Sequence, residues 1–279
     1  AGGPADGVVE VTDRPTLALI QQVAIDTRCP VLALGSASNV LVSDSGIRGL
    51  VIYLAGDLAE VVADGSTPPI LTVGAGMRLT TLLARAKKHQ WTGLECFAGI
   101  PGTVGGAICG NAGTVLGETA HILIDVQTMV GSEIQQISRE ALQMGYRTCK
   151  LPKGAIIASA RFQTNNDDFV QSRQTMKDFI HRRKVSQPTK LPNCGSTFRN
   201  PPAEYAGRLI DEAGLKGFTL GNAAVSDKHA NFVVNLGSAS AGEIRMLIEH
   251  IQRVVQDRFG VTLCREVRFV GDWTSWEAE

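Results

Sequence analysis

The stretch GLECFAGIPGTVGGAICGNAG, residues 93–113, carries seven glycines in 21 positions, with Glu95 as its one charged side chain. Glycine permits positive φ and lets another group approach the backbone closely, so such a segment constrains the fold more than any other here. Successive backbone N–H groups in a loop of this kind can form an anion-binding concavity. The upstream loop GSASN, 35–39, has the same character and follows the apolar run PVLALG. Two such loops fit a long polyanionic ligand such as a dinucleotide, although each alone is equally well a tight turn. The spacing is not G-x-G-x-x-G between a strand and a helix, so a Rossmann site is not supported. Neither loop contains GKS or GKT, so a P-loop is not supported either.

Twenty-seven basic and 27 acidic residues cancel in a chain of 279. No basic field exists to hold nucleic acid, and no apolar run approaches the roughly 18 residues that cross a bilayer. No secretory signal pattern is visible. The six cysteines, at 29, 96, 109, 149, 194 and 264, are scattered and make no CxxC. Clustered ligand spacing is absent, so no metal site is expected. The cysteines read as reduced thiols, most of them buried as small hydrophobes.

Periodicity predicts helices over 15–28, 79–91, 167–184, 206–214 and 241–259. The last is well marked: Ser240 and Glu243 have capping-box spacing, and Gly260 is a suitable stop. Strands are predicted over 30–35, 49–54, 70–76, 121–130, 155–164, 230–236 and 261–271. The Pro-containing segment 185–193 reads as a domain boundary. Helices and strands mix without regular alternation, so the class is α+β.

Three further positions carry candidate chemistry. Ser196 follows Gly195 between prolines in PNCGSTFRNPP, which is not a hydrolase elbow; a capped turn explains it as well. Arg147, beside Tyr146, suits carboxylate or phosphate recognition, but a lone loop Arg is commonly a solvated group. Glu266 sits between Arg265 and Arg268, where a surface ion pair is the plain reading.

In combination and order, these motifs resemble the UDP-N-acetylenolpyruvoylglucosamine reductase (MurB) family of flavoenzymes. The resemblance rests on GGPAD (2–6), LGSASNVLVSDSGIRGLVI (34–52), the glycine-rich stretch, YR (146–147), NCGSTFRNP (193–201), AGRLIDEAGLKG (206–217), VSDKHANFVVN (225–235) and EVRFVG (266–271). It implies a two-subdomain FAD-binding region of the vanillyl-alcohol-oxidase/PCMH type, 1–66 and 67–184, and a C-terminal α+β substrate domain, 185–279. It implies FAD as cofactor, with Gly35, Ser36, Ala37, Ser38, Asn39, Gly99, Ile100, Pro101, Gly102, Thr103, Gly105, Gly106, Ala107, Asn111, Ala112 and Gly113 lining it. NADPH would be the hydride donor and UDP-N-acetylglucosamine enolpyruvate the substrate, in a bacterial cytoplasm, with a monomer favoured. Ser196 would be the general acid and Arg147 the electrostatic stabiliser. Glu266 would be the third catalytic group, able to donate a hydrogen bond if its carboxyl is protonated. Tyr146, Lys184 and Asn200 would contact substrate. The chain departs from the pattern at Ala37, where the family usually has glycine, and at Cys264-Arg265 before Glu266. It lacks a tyrosine-bearing loop insertion, as in the shorter subtype. Another flavin oxidoreductase of the same architecture and a non-catalytic flavin-binding protein are the competing readings.

Overall fold

The computed structural model describes residues 1–274; the last five residues of the expected C-terminal domain, 275–279, lie outside the described residues. The chain forms two compact units. The larger comprises Gly7–Ser36 and Gly49–His181, and the smaller comprises Ala1–Asp6, Ala37–Arg48 and the chain from Arg182.

The larger unit is built on a five-stranded antiparallel sheet. Its order is Glu133–Ser138, Leu123–Val130, Ile156–Gln163, Ile70–Gly74, Val61–Ala63. The central strand Ile156–Gln163 is buried along nearly its whole length. That burial requires small and apolar residues, and its sequence is IIASARFQ. Helix Leu79–His89 buries Leu79, Leu82 and Ala86 on one stripe and ends in Lys87, Lys88 and His89, which complement its dipole. Helix Val104–Cys109 joins the same core through Val104, Ala107 and Ile108, where Phe97 meets Phe162 edge-on at 5.8 Å. A three-stranded sheet, Ala5–Val11, Ile47–Leu54, Val31–Ala33, pairs its last two strands in parallel. Leu17 of helix Arg14–Thr27 packs into a second core with Val11, Ile52, Leu58 and Met129.

In the smaller unit, helix Ala241–Phe259 buries Leu247, Ile248, Ile251 and Val255. Each such side chain contributes about 1.5–3 kcal/mol relative to exposure. They pack with helix Ala206–Glu212 and the antiparallel strands Ala223–Val225 and Val233–Asn235. The predicted capping box is present: Ser240 Oγ accepts from Glu243 N at 3.0 Å, and Ser240 N donates to Glu243 Oε2 at 2.8 Å. Asp44 adds a cap that no local pattern announces. Its two carboxylate oxygens accept from Ala241 N at 2.9 Å and Gly242 N at 2.8 Å. The segment Ala37–Arg48 is thus an arm of this unit. Its strand Val40–Val42 lies parallel to Arg268–Val270, and Ser43 N donates to Val270 O at 3.0 Å.

Three predicted strands are much shorter than expected, the first being 30–35, which forms only Val31–Ala33. Residues 261–271 form a strand only over Arg268–Val270. Just before it, Glu266 N (2.8 Å) and Val267 N (3.4 Å) share the Thr197 carbonyl, which breaks the regular ladder. Residues 230–236 contract to Val233–Asn235. Before that strand, the Asn231 side chain takes both backbone groups of Phe198.

Candidate functional site

In the larger unit the two glycine-rich loops touch. A Cβ built on Gly35 would run into the Oγ1 of Thr103. Thr103 is in turn the N-cap of helix Val104–Cys109, and its Oγ1 accepts from Gly106 N at 3.4 Å. The helix begins there because Val104 N bonds Met77 O at 2.9 Å and Gly105 N bonds Ala75 O at 2.8 Å. Gly105 packs tightly, since a Cβ there would lie 3.1 Å from that of Ala75. Gly102, at φ 140°, needs glycine for conformation, and Gly99, at φ 68°, sits in the left-handed region that favours it.

The amides of this loop are largely engaged within the protein. Ile100 N donates to Phe97 O, and Ala107 N to Thr103 O. The loop therefore offers a ligand the absence of Cβ atoms more than a row of N–H groups, which shifts the emphasis of the sequence reading. A bare, turn-rich cradle with an exposed Gly99 and Gly106 fits the flat, extended body of FAD. Replacing Gly35 by alanine is expected to push Thr103 off its capping geometry. The protein should lose about 1–3 kcal/mol by overpacking, read as a lower Tm. Its flavin absorbance per polypeptide should fall below half that of the parent. Full flavin content in the variant would remove the Gly35–Thr103 contact from the cofactor cradle.

The next stretch builds a mount for Arg147. Gly145 and Thr148 exchange backbone hydrogen bonds at 3.1 and 3.0 Å, leaving Tyr146 and Arg147 at the tip of a tight turn. Arg147 has φ 57°, a left-handed conformation that costs a non-glycine residue on the order of 1–3 kcal/mol. Its Nη1 donates to Asn111 O at 3.4 Å and its Nη2 to Gly113 O at 3.0 Å. Its Cζ lies 5.3 Å from the Tyr146 ring centroid. Asn111 is fully buried, also at positive φ (39°). Its Nδ2 donates to Gly145 O at 2.9 Å and its Oδ1 accepts from Ala120 N at 2.9 Å. The Asn111 side chain is thus a post joining two turns, and its carbonyl is a mount for Arg147.

In the smaller unit the fold brings Ser196 and Glu266 onto neighbouring backbone segments. Phe198 and Arg265 pair as an antiparallel bridge, and Glu266 N donates to the carbonyl of Thr197, the residue after Ser196. Thr197 and Phe198 are held firmly. Thr197 N bonds Asn231 O at 2.8 Å, and Thr197 Oγ1 accepts from Val233 N at 3.2 Å. The Asn231 amide brackets Phe198, accepting from its N at 3.0 Å and donating to its O at 2.8 Å. Ser196 itself is half-buried and follows Gly195 at φ 76°. Asn39 reaches the same place, with Nδ2 donating to Glu266 O at 3.1 Å. Ala37 has φ 50°, so the loop keeps a glycine-like conformation with an alanine in it. The αL strain of about 1–2 kcal/mol is partly offset by the lower chain entropy of alanine, which explains how this departure is tolerated.

The remaining candidates have plainer surroundings. Asn200 Oδ1 accepts from Ala206 N at 3.1 Å, at the start of helix Ala206–Glu212. Lys184 is exposed in the last turn of helix Phe169–Ser186, and its carbonyl accepts from Lys228 Nζ at 3.5 Å. Of the cysteines only Cys96 is buried, where desolvation pushes its thiol up to about 12; Cys29 and Cys264 are exposed, contrary to the expectation of mostly buried thiols. Burial also raises the Cys194 thiol, which stays neutral beside Gly195 and donates to Val40 O at 3.2 Å. Asn231 and Thr197 were not singled out in the sequence. The usable signal was an asparagine entering an otherwise apolar run, ANFVV. Among the described residues no group of three or more metal-ligating side chains gathers, and no helix is long and apolar enough to cross a membrane.

Residues 5–133 match the FAD binding domain family, and residues 187–270 match the family described as UDP-N-acetylenolpyruvoylglucosamine reductase, C-terminal domain. UDP-N-acetylenolpyruvoylglucosamine reductase 2 of Symbiobacterium thermophilum is 41% identical over 272 residues, covering 97% of this chain and 87% of that protein. The reductase of Anaeromyxobacter dehalogenans (strain 2CP-1) is 40% identical over 278 residues, covering 100% of this chain and 84% of the relative. The crystal structure of the Thermus caldophilus reductase aligns with a TM-score of 0.82 at 36% identity, over 94% of this chain and 91% of that one. Both halves of the sequence, and the fold they make, show that this chain belongs to the UDP-N-acetylenolpyruvoylglucosamine reductase family.

Proposed function

We propose that the chain is a FAD-dependent, NADPH-using reductase that converts UDP-N-acetylglucosamine enolpyruvate to UDP-N-acetylmuramate, a step of peptidoglycan precursor synthesis in the bacterial cytoplasm. The observation that carries this reading is that the alignments at about 40% identity extend over 97–100% of the chain, across both the cofactor half and the substrate half. Residues 1–66 and 67–184 serve the flavin, through the loops 35–39, 99–107 and 111–113, and 185–279 serve the substrate.

Bound FAD supplies the hydride relay between NADPH and one carbon of the enol ether double bond. The electron pair of that bond moves to the carbon beside the substrate carboxylate, which then needs a proton. Ser196 delivers it. A serine hydroxyl is a weak acid, so it serves only against a strongly basic carbon and from a preset position; the clamped Thr197–Phe198 segment provides that position. Arg147 holds the substrate carboxylate and opposes the charge that grows next to it. Its two outer nitrogens are anchored on the carbonyls of Asn111 and Gly113. Glu266 orients the proton delivery from the adjoining segment. Tyr146, Lys184 and Asn200 contact the sugar nucleotide.

The test is a visible spectrum of the purified protein supplied with FAD, followed under anaerobic conditions. Flavin bands should bleach with NADPH and return with UDP-N-acetylglucosamine enolpyruvate. Bleaching without return would leave a flavin oxidoreductase with a different substrate. A protein that takes up no flavin would overturn the reading altogether.

A further inference from the structure

We propose that Asn39 is a positioning residue for the reduction, acting through Glu266. This rests on the reading of Glu266 as a catalytic group and deepens it.

The argument is one of backbone geometry within the smaller unit. Strand Val40–Val42 runs parallel to Arg268–Val270, and the pairing starts where Arg268 N donates to Asn39 O at 3.1 Å. In a parallel ladder the next rung back would be a backbone N–H given to the carbonyl two residues earlier. That carbonyl is Glu266 O, and here the Asn39 side chain supplies the donor, with Nδ2 at 3.1 Å. A side-chain rung lets the backbone turn at Ser38–Asn39 while the pairing still reaches Glu266.

Glu266 is consequently gripped on both peptide groups. Its N–H goes to Thr197 O at 2.8 Å and its C=O receives Asn39. The first grip belongs to the segment that Asn231 and Val233 hold. The second is supplied by the Asn39 amide. The sequence reading counted Asn39 among the cofactor-lining residues, yet its side-chain donor is committed to the backbone of Glu266. Without it, the Glu266 carbonyl loses this bond, and the origin of the carboxyl-bearing side chain is less firmly set. Displacements on the scale of 1 Å in a catalytic group cost about 10²-fold in rate.

A double-mutant cycle tests this on enzyme reconstituted with FAD and photoreduced beforehand, so that a single turnover with the enolpyruvyl sugar nucleotide is read as return of the flavin bands. Asn39→Ala is expected to slow that return by about 10- to 100-fold. In the Glu266→Gln background the same change is expected to cost less than threefold, because the group it positions is already gone. Equal penalties in the two backgrounds would overturn the proposal and return Asn39 to a role in flavin binding or folding. So would an Asn39→Ala single mutant as fast as the parent. If the alanine variant does not fold, Asn39→Asp, which keeps the shape but not the donor, carries the same cycle. Failure of the underlying reading is separately visible: a Glu266→Gln single mutant at parental speed would show that Glu266 is not catalytic.

Discussion

Ser196→Ala is expected to slow the reoxidation of reduced enzyme by the enolpyruvyl sugar nucleotide by about 10²–10⁴-fold, the range that a positioned proton donor supplies. The residue cannot act by acidity alone. It must already point at the carbon when the electron pair arrives there, and the protein builds for this. Gly195 turns the chain at φ 76° just before it, and the two residues after it are tied to Asn231 and Val233. The neighbouring Cys194 thiol, raised by burial, is a poor nucleophile, and it donates to the Val40 carbonyl. Reduction by NADPH needs no proton at that carbon and should proceed. The mutant should therefore bleach normally and fail to recover. Stopped-flow absorbance separates the two steps, and Ser196→Cys should recover part of the rate, since a thiol is a stronger acid than an alcohol. Normal reoxidation of the alanine variant would refute the assignment even though the family stands.

Arg147→Lys is expected to lower turnover with the sugar nucleotide by about 10²–10³-fold, as loss of a preorganised oxyanion-type donor does. Charge is conserved in this exchange, so a purely Coulombic role predicts little change. The structure predicts otherwise because the guanidinium has two separate jobs. Nη1 and Nη2 hold the carbonyls of Asn111 and Gly113, and the planar fork then has a set direction. An ammonium cannot hold both carbonyls and keep that direction. The strained φ of 57° at the same residue fits a functional site where geometry is imposed by its surroundings. Steady-state rates with flavin content matched between variants decide the matter. Activity within threefold of the parent would mean that the carbonyl-mounted guanidinium does not face the reacting group.

Long elements with strong local signals were legible in the sequence. Helix Ala241–Phe259 has its Ser240–Glu243 box, its apolar stripe and its Gly260 stop where the pattern puts them. The apolar strands Leu123–Val130 and Ile156–Gln163 fall within the predicted runs. Glu133–Ser138 was not foreseen, since as an exposed edge strand its EIQQIS carries polar residues on both faces. Val40–Val42 was missed because three residues give no period, and its partner lies more than 220 residues away. The same limit applied at the site. Motif resemblance could name Ser196, Arg147 and Glu266, but no local rule gives Asn111 a buried post, Asp44 a helix cap or Asn39 a rung. Each of those roles is defined by a partner distant in sequence.

The arm Ala37–Arg48 sets where this protein can be cut. A fragment starting at Arg182 looks like a natural product of trimming, since it carries most of one core. Without the arm it would expose the edge of Arg268–Val270, leave Ala241 and Gly242 without Asp44, and take Leu41 out of the core it shares with Phe198, Leu209 and Val267. The two halves are therefore interleaved in the gene even though each has its own core. Swapping the smaller units between relatives would need four junctions that move together, with Ala1–Asp6 and the twelve residues of the arm travelling alongside the C-terminal piece.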